Sequence, residues 1–108
     1  MRRGDIITIV TSGDYGKARP AVVVQSDLLN TNDSVLVALF TSTLMDTPLY
    51  RLPIEPNEIN GLKLPSQIMV DKILAVQRVK CGAVIGTLDQ SAMIALNNML
   101  SVVIGIAD

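Results

Sequence analysis

The chain of 108 residues reads as an α+β domain, with about 5–7 short strands in a small curled sheet or half-open barrel followed by one C-terminal helix. Three observations carry this. From Asp5 to Leu88 the sequence is a succession of apolar, β-branched runs of strand length, each bounded by Gly, Pro, Asn or Asp. Beyond Asp89 the apolar period lengthens from two to about 3.6. The length suits a single domain, residues 1–108, large enough to bury roughly two-thirds of its unfolded surface without staples.

The elements follow in order. "DIITIVTS" is a first strand ending at the breaker pair Ser12-Gly13, and residues 13–19 are a loop in which Gly13 and Gly16 permit turns. "PAVVVQS" is a second strand opened by Pro20, acceptable because a first residue needs no ladder donor. Val35–Thr43, the most continuous apolar run, predicts a central strand buried on both faces. In "LYRLPIEP" the prolines point to an edge strand, and Asn60-Gly61 is the strongest short turn signal. "SQIMVDKILAV" is one strand or two with a break near Lys72, and "RVKCGAVIGTL" is a further short strand or single turn. Asp89 then caps a helix in which Met93, Leu96, Leu100 and Val103 share one face, widened by Ile94 and Ile104, with Gly105 as the stop.

Composition excludes several classes of function. Apolar residues make up 49% but aromatics only 3%, which leaves too few rings for a base-stacking platform. Histidine is absent and Cys81 is alone. Disulfides, zinc sites and histidine-centred triads are therefore not expected, and a reducing cytoplasm is the simplest setting. The last apolar stretch is much shorter than the roughly 20 residues of a membrane span.

The net charge of −1 hides an uneven distribution. Residues 1–20 carry +2 (Arg2, Arg3, Lys17 and Arg19 against Asp5 and Asp14), and residues 61–80 carry +3 (Lys63, Lys72, Arg78 and Lys80 against Asp71). Residues 21–60 carry −4 and residues 81–108 carry −2. If the two basic segments meet, they form a cationic groove on an acidic body; the alternative is charge scattered over a solvated surface.

The blocks "RGDIITI", "ARPAVVVQSD", "ALFTST" and "INGLKLPSQIMVDKILAV", with the closing helix, resemble the MazF/PemK family of bacterial toxin endoribonucleases, in the same order over nearly the whole chain. The resemblance implies an SH3-like β-barrel with a C-terminal helix and a homodimer. It also implies cleavage of single-stranded mRNA without metal or other cofactor, and a small antitoxin (MazE/PemI-like) whose acidic tail covers the RNA groove.

Attack of a ribose 2′-hydroxyl on its phosphate needs a base, a donor for the departing 5′-oxygen and positive charge for the phosphorane. Arginine meets the last need best, since its planar fork matches phosphate oxygens and stays charged. By the resemblance Arg19 is the phosphate-facing catalytic residue, Thr41 a hydroxyl bonding the same phosphate, and Asp71 the acid that PemK-like members use. As readings of residue type alone, Arg19 is an exposed strand-end cation, Thr41 a β-former, and Asp71 a partner for Lys72, Arg78 or Lys80. The RNA-binding candidates are Tyr15 (stacking or gating), Lys17 and Lys72 (phosphate contacts), Ser42 beside Thr41, and Gln67 as a base reader. Gln25 is likewise a candidate base reader, and both glutamines also fit a solvent-facing role.

Two departures stand out. Where PemK-like members carry a catalytic arginine two residues before the acid, this chain has Met69; Lys72 and Leu74 replace the glutamine and arginine that commonly follow it. The load then shifts to Arg19 and Thr41. A same-fold CcdB-like toxin acting on DNA gyrase and a non-cleaving regulator that binds RNA or an antitoxin are the alternative readings.

Overall fold

The computed structural model describes residues 1–10 and 17–108. Six strands form one antiparallel sheet: β1 (Asp5–Val10), β2 (Ala18–Val23), β3 (Ser34–Thr41), β4 (Arg51–Ile54), β5 (Ser66–Gln77) and β6 (Cys81–Thr87), with a 3-10 turn at Arg78–Lys80 and helix α1 (Gln90–Val103). The spatial order is β4-β5-β3-β2-β1-β6, so β3 is central and the proline-bearing β4 lies at an edge, as the sequence predicts.

Alternation along the strands builds two cores. Ile6, Val22, Ala38, Phe40, Ile68 and Val70 face α1, whose Leu96 is fully buried among them. On the other face Ile7, Ile9, Ala21, Val23, Val35 and Val37 form a second cluster with no helix residue in it. Curling of the sheet excludes water there, helped by the loop after β2. Arg78 ties that loop down by donating to the carbonyls of Asn32 and Leu29.

The structure corrects several details. Pro20 is the third residue of β2, not its first; it pairs with Thr8 of β1, while pairing to β3 starts only at Ala21. β3 stops at Thr41, because the Thr41 hydroxyl accepts from the Thr43 amide (3.1 Å) and turns the chain. Its Leu36 is 41% exposed, so burial on both faces fails at that end. β5 is continuous, and the break anticipated near Lys72 is a bulge: Phe40 pairs with Ile68 but Ala38 with Ile73.

In α1 the Asp89 carboxylate accepts from the Ala92 amide (2.8 Å), the expected N-cap. Ile94 and Ile104 do not widen the buried face; they are 55% and 59% exposed. At 100° per residue Ile94 points about 160° away from Leu96, and Ala92 and Met99 complete the packed face instead.

The two sheet edges are joined by a loop. The turn after β4 lays Asn60-Gly61 on β6: Thr87 donates to the Ile59 carbonyl (2.8 Å), a Cβ on Gly61 would lie 2.1 Å from the Ile85 oxygen, and one on Gly86 2.3 Å from the Asn60 carbonyl carbon. Gly61 also has φ +70°. Asn60 is 1% exposed; its Oδ1 accepts from the Asn57 and Leu62 amides and its Nδ2 donates to the Glu55 carbonyl. Here backbone meets backbone, so an added methyl has nothing soft to displace.

Gly86→Ala should lower unfolding stability by about 1–3 kcal/mol in urea titration, and a neutral result would contradict this packing. Leu96→Ala should cost about 2–5 kcal/mol in the same assay.

Candidate active site

A cleft of about 640 Å³ opens where β2 begins, β3 ends and residues 61–66 pass in front of them. Lys17, Arg19, Thr41, Ser42 and Lys63 line it, with apolar wall from Pro20, Leu62, Leu64 and Ile85. The two basic segments of the sequence therefore meet, through Lys17 and Arg19 from one and Lys63 from the other. Among the described residues that line the cleft there is no carboxylate, thiol or imidazole. The described lining is cationic, and the described residues hold no group of metal-ligating side chains.

Register explains the grouping. Ala21 pairs with Leu39 as the last rung of the β2–β3 ladder; Arg19 lies two residues before Ala21 and Thr41 two residues after Leu39, so both sit at the same end of the two strands, and Thr41 pairs in turn with Gln67 of β5. Directly opposed residues share a face, which puts Thr41 and Gln67 side by side across β3 and β5, with Arg19 lining the same cleft from the start of β2. Pro20, Phe40 and Ser42 belong to the other face, so the cleft wraps around the strand ends. Arg19 is backbone-paired with Ile9, itself 1% exposed, so a solvent-exposed guanidinium stands on an immobile base. The Thr41 hydroxyl uses a lone pair on the Thr43 amide and keeps its proton to donate.

Other candidates lie elsewhere. Asp71 and Lys72 are exposed in the β5 bulge and do not line the cleft. Neither does Asp71 form the alternative ion pair: among the described residues the one carboxylate–cation contact within 4 Å is Arg2–Asp27 (3.9 Å). Gln67 is buried, not base-facing or solvent-facing; its amide bonds both the N–H (3.1 Å) and the carbonyl (2.9 Å) of Met45. Gln25 is likewise buried, donating to the Leu29 carbonyl and accepting from the Leu36 amide. In both cases a loop's backbone needs the amide for its own satisfaction. Tyr15, Gly13 and Gly16 lie outside the described residues. Met69 is half-buried and pairs across β4 with Arg51.

Sequence reasoning missed Lys63 as a cleft residue, although its place two residues after the Asn60-Gly61 turn was a usable signal. It also missed the burial of Arg51, for which alternation in β4 gave no warning.

Residues 2–104 match the model of the PemK-like, MazF-like toxins of type II toxin-antitoxin systems. The chain belongs to this toxin family. It is 40% identical over 108 residues, 99% of each chain, to a probable endoribonuclease MazF of Mycolicibacterium smegmatis. Among solved structures it resembles the Mycobacterium tuberculosis toxin MazF-mt6 (TM-score 0.80, 24% identity, 94% of this chain and 96% of that one). It also resembles a mycobacterial endoribonuclease in complex with its cognate antitoxin (TM-score 0.83, 20% identity, 98% and 96%). At these identities the structural likeness speaks for the fold, a six-stranded sheet with one C-terminal helix. Among the described residues no helix is long and apolar enough to cross a membrane.

Cys81 has no place in this toxin's cleft. Burial pushes its thiol up, with the Arg78 charge opposing. The thiolate fraction at neutral pH is thereby reduced, so alkylation by iodoacetamide should be slower than for a free-cysteine peptide and should rise only at higher pH. A rate–pH profile that inflects at or below the peptide's would contradict this.

Proposed function

We propose that this toxin cleaves single-stranded mRNA endonucleolytically, without metal, and so blocks translation. The observation that supports this reading is the cationic cleft, lined by both Arg19 and Thr41 and with no acidic side chain among the described residues around it. An RNA backbone entering it meets Lys17 and Lys63 as phosphate contacts without sequence preference. The 2′-oxygen attacks the adjacent phosphorus, the P–O5′ bond breaks, and the products are a 2′,3′-cyclic phosphate and a 5′-hydroxyl. Arg19 stabilises the charge that accumulates on the non-bridging oxygens, and the Thr41 hydroxyl donates to one of them. The proton leaving the 2′-hydroxyl goes to solvent and the 5′-oxygen takes one up. Asp71 lies outside the cleft, so what the described residues contribute to the acceleration is charge stabilisation and alignment.

The cleft also suits an acidic peptide, and we assign it as the surface that a small antitoxin covers; two copies of the chain form the working toxin in the cytoplasm. Solved relatives include a MazE–MazF complex from Deinococcus radiodurans (TM-score 0.78, 16% identity, 97% of this chain and 95% of that one).

Purified protein should cut a long single-stranded RNA in excess EDTA at a recurring short motif. Arg19→Ala should slow cutting about a hundred- to a thousandfold while the protein stays folded, because it removes one preorganised donor and no side chain of the buried core. Intact RNA, or cutting abolished by EDTA, would exclude the mechanism. Lys63→Ala should weaken RNA binding across sequences and lower the slope of log affinity against log salt by about one.

A further inference from the structure

Arg51 is the only charged side chain among the buried polar groups of the described residues, at 8% exposure, and none of the described carboxylates lies within 4 Å of it. Its Nη1 donates to the Gln67 Oε1 (3.0 Å) and the Thr43 carbonyl (3.1 Å), and its Nη2 to the Met45 sulfur (3.3 Å). Its Nε is buried without a partner. A guanidinium shut away from water with no counter-charge and one idle donor opposes folding, and a hydrocarbon of similar length serves stability as well or better. Its presence therefore calls for a role other than stability.

The contacts indicate which. Arg51 and Gln67 together hold residues 43–47, the strap that leaves the cleft at Thr41 and Ser42. Gln67 grips both backbone groups of Met45, Arg51 takes the Thr43 carbonyl, and the Arg51 amide donates to the Thr47 carbonyl (3.0 Å). Gln67 is also the direct cross-strand partner of Thr41, which lines the cleft together with Arg19. Direct anion binding by Arg51 is a poor account of the same facts, since its idle nitrogen is sealed from solvent.

We propose that Arg51 and Gln67 are positioning residues for RNA cleavage: a clamp that fixes the strap and thereby sets the Thr41 hydroxyl against the phosphate that Arg19 binds. This rests on the endonuclease reading above. A fork with several donors is required, because three acceptors on two segments are bridged at once; a lysine cannot span them in fixed geometry.

The test compares wild type with Arg51→Met and Gln67→Met, using an RNA oligonucleotide that spans a mapped cut, thermal melting, and amide exchange at residues 43–47. Arg51→Met should keep or raise Tm, speed exchange of the Met45 amide, and lower kcat about ten- to a hundredfold with KM moving less than about threefold, the pattern of misplaced chemistry. Gln67→Met should reproduce the kinetic split. Full kcat in Arg51→Met, or activity lost only in proportion to the unfolded fraction, overturns the proposal. Should the variants fail to fold, the wild-type protein still decides: Met45 must exchange more slowly than its neighbour Leu44, and equal rates overturn the clamp. Intact RNA with wild type beside a protected Met45 amide instead overturns the endonuclease reading, and with it the clamp's part in cleavage.

Discussion

The contact between the Asn60-Gly61 turn and the Ile85-Gly86 backbone of β6 is the constraint on which the rest of this structure depends. The sheet leaves two edges, β4 and β6, that never pair with each other. Unpaired edges cost little at the surface, but a sheet with cores on both faces must curl enough to exclude water from the face no helix covers. The loop from β4 spans the gap by touching β6 at van der Waals limits, which only residues without a Cβ allow. The buried Asn60 amide satisfies the turn's own backbone, so the bridge is rigid rather than merely close. The same loop carries Lys63 and Leu64 to the cleft. Fold closure and assembly of the basic wall are one event.

Arg19 shows how a flexible side chain is given a fixed origin. Its Cα is held in the β1–β2 ladder against a fully packed Ile9, and its loop-side neighbours Lys17 and Ala18 are exposed. Phosphate chemistry benefits from this arrangement because charge already in place at the transition state needs no reorganisation. Thr41 is set by different means: the strand ends at its own hydroxyl's bond to Thr43, and buried amide and guanidinium groups hold residues 43–47 beyond it.

Much of the fold was legible in the sequence, since it is written in local signals. Breaker residues mark the strand ends, prolines mark the β4 edge, and Asp89 announces the helix. What period-based reasoning misplaced were residues whose environment is set by distant chain. Gln25 and Gln67 look solvent-facing on a strand pattern, and become buried only because loops from elsewhere bring unpaired backbone to them. Ile94 looked like core because hydrophobicity was read without its angle around the helix. In the site, Arg19 and Thr41 came from the resemblance and line one cleft, whereas Lys63 needed the closed loop to be seen. Asp71 stands exposed in the β5 bulge, away from the cleft lining, and a bulge leaves no mark in a sequence that continues to alternate acceptably.

The walls of the cleft come from five parts of the chain that are separated in sequence, and the side chains of Lys63 and Leu64 hang from a bridge whose strength lies in its backbone. Such a division separates what must be kept from what can be tried. Substitutions at these two positions alter one face of the groove without touching the contacts that close the sheet, so the lineage can explore new groove chemistries in single steps while the scaffold's folding is left intact.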